Sequence, residues 1–299
     1  MAGSKEIQER MNGIKDTLKI TNAMYLISSS KLRKARKNQQ MVEDYFQTIR
    51  NTIGDILNHM PQMEHVYLNS ASQEEKRKKH RAYIVITADK GLAGAYNLNV
   101  IKLAEQEMEQ YPDAKLFVIG QIGKHYFEEK NANMEKDFLY SSQNPSLQRA
   151  RNITAEILEQ YHEKKIDQVF ILYTQMKDAL QSEAVMMQLL PLSREQFREC
   201  RNEGGSTESF FPDAKSVFNQ IAPITMHGII FSAMTESWCA ELNDRMTAMS
   251  SASKSAKEMI ADLELEYNRT RQYSITQEIT EICAGAKAQR QKKSQEGIR

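Results

Sequence analysis

Sixteen positions between residues 7 and 60 fix what this chain can become. Stepping alternately by four and three, they read Ile7, Met11, Ile14, Leu18, Thr21, Tyr25, Ser28, Leu32, Ala35, Gln39, Val42, Phe46, Ile49, Ile53, Ile56 and Met60. Thirteen of the sixteen are apolar. A straight α-helix drifts by about 20° per heptad against a seam of this 3.5-residue spacing, so the pattern demands a left-handed supercoil with a partner helix. No proline interrupts Met1 to Met60, and the 299 residues hold only 12 glycines and 6 prolines. At roughly 1.5 Å per residue the predicted helix runs about 80 Å.

The partner is expected at the other end of the chain, which has no proline after Pro223. The same stepping gives Ile224, Gly228, Phe231, Thr235, Trp238 and Leu242. After a one-residue adjustment it resumes as Met246, Met249, Ser253, Ala256, Ile260, Leu263, Tyr267 and Thr270, and a further shift gives Ile275, Ile279, Ile282 and Ala286. Such shifts loosen or tighten a supercoil without ending it. Small residues from Ser250 to Ala256 would let two backbones approach closely. An antiparallel intramolecular coiled coil satisfies both seams; an intermolecular coiled coil is its structural rival. The helices are expected over residues 1–60 and 214–288, with a basic tail at 289–299.

Between them the pattern changes. Residues 61–82, with Pro61 and the charged run Glu74 to Arg81, read as a solvated linker. Three β-branched and aromatic runs follow, Tyr83–Thr87, Leu116–Ile119 and Val169–Tyr173, separated by helical patterns at Leu98, Ile101, Glu105 and Met108 and at Ile153, Ile157, Leu158 and Tyr161. Alternating strand and helix predicts an α/β domain over residues 83–200, with a mostly parallel, Rossmann-like sheet. Gln188 to Leu192 reads as an edge strand because Pro191 is excluded from a central one. Residues 201–213, with Gly204 and Gly205, read as a loop.

The sharpest local signal is Thr87-Ala88-Asp89-Lys90-Gly91-Leu92-Ala93-Gly94-Ala95-Tyr96-Asn97, directly after the first strand. A glycine turn between strand and helix can cradle phosphate, yet neither GxxxxGK[ST] nor GxGxxG is present. The structural reading is preferred: glycines for a tight turn, and Asp89 as hydrogen-bond acceptor at a helix start. Six histidines, at 59, 65, 80, 125, 162 and 227, share no metal-ligand spacing, and no GxSxG elbow occurs. No cofactor and no catalytic site are therefore expected.

Forty Lys and Arg balance 39 Asp and Glu, which gives no global reason to expect nucleic acid as a partner. No apolar run reaches the roughly 18–20 residues that span a bilayer. Cys200, Cys239 and Cys283 are too few and too scattered for a disulfide framework. The charged start MAGSKEIQER lacks the apolar core of a signal peptide. A cytosolic protein is expected. One cluster stands out on the first helix, Lys31, Arg33, Lys34, Arg36 and Lys37, flanking Leu32 and Ala35. It reads as a solvated face or as a contact with acidic loops of a partner protein.

The terminal motifs add a resemblance. Ile14-Lys15, Ile20-Thr21-Asn22-Ala23-Met24, Ser30-Lys31-Leu32 and Arg245-Met246-Thr247-Ala248-Met249 resemble the gamma subunit of rotary F-type ATP synthases. So do Tyr267-Asn268-Arg269-Thr270-Arg271-Gln272, Ile275-Thr276-Gln277-Glu278-Ile279 and Glu281-Ile282-Cys283-Ala284-Gly285-Ala286. The middle joins through Thr87 to Leu92 and Gln188 to Leu192. Where the family often has Gly-Leu-Cys-Gly-Gly-Leu-Asn, this chain reads Gly91-Leu92-Ala93-Gly94-Ala95-Tyr96-Asn97, and Asn22 stands where a lysine is common.

The resemblance implies a rotor without chemistry of its own: a coiled-coil shaft inside a ring of alpha and beta subunits, with the α/β domain beside an epsilon subunit and a membrane c-ring. It implies peripheral attachment at the cytoplasmic face of the cell membrane. It assigns Arg271 and Gln272, then Thr276 and Glu278, to contact with a beta subunit. Met24 with Lys31, Arg33 and Lys34 would face the beta subunits' acidic region or the foot. The coiled-coil seam would include Ile7, Met11, Ile14, Leu18, Ile260, Leu263 and Tyr267. Two other classes stay open: a homodimeric coiled-coil scaffold, and an α/β nucleotide-binding enzyme with helical extensions.

Overall fold

The protein is described as a computed structural model covering residues 2–60, 63–68, 80–178, 181–197, 211 and 213–296. Two long helices, α1 (Ala2–His59) and α5 (Ala214–Glu296), flank an α/β segment. That segment runs β1 (Arg81–Ile86), α2 (Tyr96–Gln110), β2 (Lys115–Ile119), α3 (Gln121–Glu129), α4 (Leu147–His162), β3 (Gln168–Met176), β4 (Ser182–Leu190) and a 3-10 turn, Arg194–Phe197. The four strands form one sheet in the order β2-β1-β3-β4. β1 pairs in parallel with β2 and β3, and β4 closes the edge antiparallel to β3.

Both faces of the sheet are buried, which explains why its parallel strands read as apolar runs rather than alternating ones. Tyr83, Val85, Leu116, Val118, Phe170 and Leu172 form one core with Val100, Ile101 and Ala104 of α2 and Phe127 of α3. Ile84, Ile86, Phe117, Ile119, Val169 and Ile171 form the other, with Ile153 and Ile157 of α4, Ile53, Ile56 and Leu57 of α1, and Phe218, Ala222, Met226 and Ile230 of α5.

The chain divides into two compact units, Ile27–Ala248, and Met1–Leu26 with Met249–Arg299. In the first, α1 and α5 run antiparallel: Leu32 and Ala35 pack with Trp238, Cys239 and Leu242. The ring of Phe46 lies against Phe231, with centroids 6.2 Å apart, and against Gly228. A side chain at Gly228 would place its Cβ 2.3 Å from Phe46 Cδ1, so this glycine is the hole that receives the Phe46 knob. In the second unit Thr21 and Ser253 share a hydrogen bond of 2.8 Å between their hydroxyls, and Lys15 sits 3.6 Å from Glu264. The descending and ascending numbers again give antiparallel pairing. Of the sixteen seam positions between residues 7 and 60, only Tyr25 and Met60, the latter just past the end of α1, are exposed.

The structure departs from the sequence reading in four places. The third seam register is uncovered among the described residues: Ile275, Ile279 and Ile282 are 45, 56 and 71% exposed. The expected linker is partly packed: Met63, His65, Tyr67 and Leu68 are buried, and the His65 ring stacks edge-on at 4.8 Å from Phe218. Its residues 61–62 and 69–79 lie outside the described residues, as do Cys200 and, from the expected loop, 201–210 and 212. β4 begins at Ser182, six residues before the expected strand, because pairing with β3 outweighs a segment with one β-branched residue, Val185. Helix α3 was not legible, being only nine residues long.

Two substitutions test this packing. Gly120 has φ +96°, and a Cβ there would meet the Thr87 carbonyl oxygen at 2.2 Å, whereas Gly94, at φ +57°, faces open space. Gly120→Ala should cost more than about 3 kcal/mol and Gly94→Ala about 1–2 kcal/mol in denaturant unfolding. Glu236 on α5 is half-buried, and burial and the nearby Glu43 carboxylate hold its carboxyl above the ordinary value of 4.5. A raised carboxyl stabilises the fold while protonated and loses that contribution as pH rises through its folded value. Glu236→Gln should therefore raise the melting temperature at neutral pH and lose the advantage below pH 4.5.

Candidate partner-contact surfaces

The strand-end turn occupies the crevice beyond the carboxyl ends of β1 and β2, where open α/β sheets usually bind ligands. Its polar groups are turned inward. The Thr87 hydroxyl donates to the Ile119 carbonyl at 2.9 Å and accepts from the Gly123 amide at 3.0 Å. The Asp89 carboxylate accepts from the Gln121 amide at 3.3 Å, the Ser141 hydroxyl at 2.5 Å and the Gln143 amide at 3.4 Å. The first amide of α3, which could hold a phosphate, is thus bonded to the chain's own anion. Asp89 does serve a helix start, but that of α3 across the crevice rather than of α2 next in sequence, because β1 and β2 are neighbours in the sheet. Gly94 takes the left-handed conformation expected of a tight turn, and so does the exposed Leu92, at φ +63°.

The buried end of α1 is also closed by the chain itself. The Arg194 guanidinium donates to the carbonyls of Leu57, Met60 and Met63 at 3.3, 3.4 and 2.8 Å. Leu57 lies in the last turn of α1, whose carbonyls have no partner within the helix, and Met60 and Met63 follow just beyond it. No sequence motif marks Arg194, since it reaches the helix from beyond β4.

The partner-contact residues expected from the sequence lie on the two long helices. In the larger unit Lys31, Arg33 and Lys34 are exposed beside the buried Leu32 and Ala35, a one-sided basic stretch. Its neighbour Arg36 points at Met176, with Nη2 3.6 Å from the sulfur. Met24 is half-buried and belongs to the smaller unit, so the structure does not gather it with the basic stretch.

In the smaller unit the seam residues Ile7, Met11, Ile14, Leu18, Ile260 and Tyr267 are half-buried and Leu263 is buried. Beyond them Arg271, Gln272, Thr276 and Glu278 are all exposed. Helical geometry puts Arg271, Ile275, Glu278 and Ile282 in one stripe, and Gln272, Thr276, Ile279 and Cys283 in the adjacent one. The Thr276 hydroxyl donates to the Gln272 carbonyl at 2.9 Å, which fixes the second stripe's polar edge. Thr276 and Glu278 are therefore neighbours on two stripes rather than one. The first stripe alternates a polar group with an uncovered isoleucine, and the second carries one uncovered isoleucine, Ile279, after two polar residues.

The family model described as ATP synthase matches residues 3–289. The ATP synthase gamma chain of Acetivibrio thermocellus is 40% identical over 295 residues, covering 96% of this chain and 99% of its own length. The chain belongs to the ATP synthase gamma-chain family. A further relative is the sodium ion specific ATP synthase gamma chain of Acetobacterium woodii, 33% identical over 95% of this chain and 98% of its own. The fold is shared with a chain of the Euglena gracilis mitochondrial ATP synthase rotor, with a TM-score of 0.66 at 16% identity over 92% of this chain and 99% of that one. The gamma-chain family reading gives no support to a nucleotide-binding enzyme, and the filled crevice agrees. Millimolar ATP or ADP should shift the melting temperature of the purified chain by less than about 1 °C, since a ligand stabilises only by binding the folded state. Asp89→Ala should lower stability by about 1–2 kcal/mol through loss of the α3 cap.

Proposed function

We propose that this chain is the central rotor subunit of an F-type ATP synthase, coupling ion flow through a membrane ring to ATP synthesis or hydrolysis in the beta subunits. The observation that carries the reading is the continuation of α5 beyond its seam. Ile275, Ile279 and Ile282 stand uncovered among Arg271, Gln272, Thr276 and Glu278. A helix face of that kind needs a collar that is apolar in part and offers hydrogen-bond acceptors to the arginine. A ring of alpha and beta subunits is such a collar.

The mechanism follows from symmetry. A shaft of two unequal helices, turning inside a ring of three catalytic pairs, meets each pair with a different face. Its angle biases each beta subunit toward an open or a closed state, and rotation permutes the biases. Arg271 and Gln272 make the polar contact with one beta loop, with Thr276 and Glu278 beside them. Lys31, Arg33 and Lys34, and separately Met24, meet acidic or apolar surfaces lower on the ring or at the foot. One charge-assisted hydrogen bond from Arg271 contributes about 1.5–3 kcal/mol, enough to shift a two-state equilibrium by about 10-fold or more.

The α/β segment, residues 83–200, is the foot, seated beside an epsilon subunit on a c-ring at the cytoplasmic face of the membrane. Attachment there is peripheral: among the described residues no helix is long and apolar enough to cross a bilayer. The chain carries no catalytic group and no cofactor; the nucleotide chemistry resides in the beta subunits. Co-expressed with alpha and beta subunits, it should purify with about one copy per three of each. In the reconstituted complex, Arg271→Ala with Gln272→Ala should lower the hydrolysis rate or the ions moved per ATP at least threefold. A double variant that works at full rate and full coupling would remove this site assignment.

A further inference from the structure

Between residues 237 and 245, α5 is enclosed on more than one side. Trp238 and Leu242 face α1, while Ser237, Glu241, Asp244 and Arg245, spaced at i, i+4, i+7 and i+8, form a second stripe. Ser237, Glu241 and Arg245 are buried. This stripe is bonded to four different parts of the α/β fold. The Ser237 hydroxyl meets the Tyr96 hydroxyl of α2 at 2.7 Å and accepts from the Thr174 amide of β3 at 3.4 Å. Asp244 accepts from the Ser182 hydroxyl of β4 at 2.6 Å.

Arg245 binds the turn after β1. Its Nη2 donates to the carbonyls of Lys90 and Gly91 at 2.9 Å each, and its Nη1 donates to Glu241 at 2.6 Å. Glu241 is 2% exposed and its other oxygen, Oε2, has no hydrogen-bond partner among the described residues, so Arg245 is the group seen to hold this carboxylate. The carbonyls of Lys90 and Gly91 are presented by a turn whose own start is fixed by Asp89 to Gln121, Ser141 and Gln143.

Apolar contact resists separation of two elements but has little angular preference. Directional bonds do have one: sliding α5 by a single residue turns it through about 100° and moves it about 1.5 Å, which breaks every bond in this stripe together. We propose that the Arg245 guanidinium, clamped between Glu241 and the Lys90 and Gly91 carbonyls and backed by the Tyr96–Ser237 and Ser182–Asp244 bonds, is the joint that fixes the angle of α5 on the α/β fold and carries torque between them. Arg245 is a positioning residue. The inference rests on the rotor reading and adds to it the place where rotation of the foot becomes rotation of the shaft.

The test uses the complete membrane complex. Arg245→Met alone leaves Glu241 buried without its partner and endangers folding, so the decisive variant is Glu241→Gln with Arg245→Met, which keeps volume and removes both charges. Tyr96→Phe deletes one hydroxyl from the same stripe. ATP hydrolysis by the detached alpha-beta-gamma complex is compared with ATP-driven ion uptake into vesicles, followed with both a pH-sensitive dye and radiolabelled sodium. The joint predicts hydrolysis within twofold of the unmodified complex, with ions moved per ATP down at least threefold in the double variant. Arg245→Lys, which keeps the charge but not the fork, should fall between, and Tyr96→Phe should show a smaller loss in the same direction. Unchanged ions per ATP overturns the joint. So does a parallel fall of hydrolysis and uptake, or failure of both the double variant and Tyr96→Phe to assemble, each of which marks a folding role. If the unmodified chain does not assemble with alpha and beta subunits, the rotor reading falls and takes the joint with it.

Discussion

A seam repeating every 3.5 residues can be buried only against a second helix, and the rest of this molecule is arranged around that need. Ile53, Ile56 and Leu57 at one end of α1 do not meet α5 alone; they enter the same core as the sheet residues Ile84, Ile86 and Ile171. This part of the helix pairing and one face of the sheet thus share a single apolar cluster within residues 27–248. Farther along, the pairing is drier in composition than in chemistry: Thr21 and Ser253 meet through hydroxyls at 2.8 Å, a specific contact where a purely apolar seam would leave register undefined.

Polar groups do a different task from the apolar ones. Buried and half-buried carboxylates and guanidinia lower stability unless each finds a partner, and their bonds here join elements far apart in sequence. Arg194 closes the end of α1 from beyond β4, Asp89 caps α3 from the turn after β1, and Arg245 ties that same turn to α5. Burial holds the Glu241 carboxyl above its usual range, with Arg245 as the main opposing influence. The crevice that many sheets of this kind reserve for a nucleotide is used up by such a junction.

Much of this was legible in the residues. The periodicity of Ile7 to Met60 announced the long helix, and the runs at Tyr83, Leu116 and Val169 announced the parallel strands, because a doubly covered sheet needs apolar residues on both sides of each strand. The terminal motifs around Arg271 and Gln272 were recognisable as a family pattern. Less was visible where the partner of a residue lies far away in the chain. Ser237, Glu241, Asp244 and Arg245 look like an ordinary polar helix face, and nothing local distinguishes them from the exposed Arg271 and Glu278.

The sequence by itself determined the two long helices, their 3.5-residue seam and the strand-helix alternation, since these depend on spacings of a few residues and on local propensity. The tertiary structure alone decided which polar groups are spent internally and which face outward. It made Asp89 the cap of α3 rather than of α2, buried one arginine of α5 against two carbonyls while leaving another in water, and left Ile275, Ile279 and Ile282 exposed. Each of those outcomes turns on which distant element arrives next to a side chain, and periodicity along one segment carries no record of that.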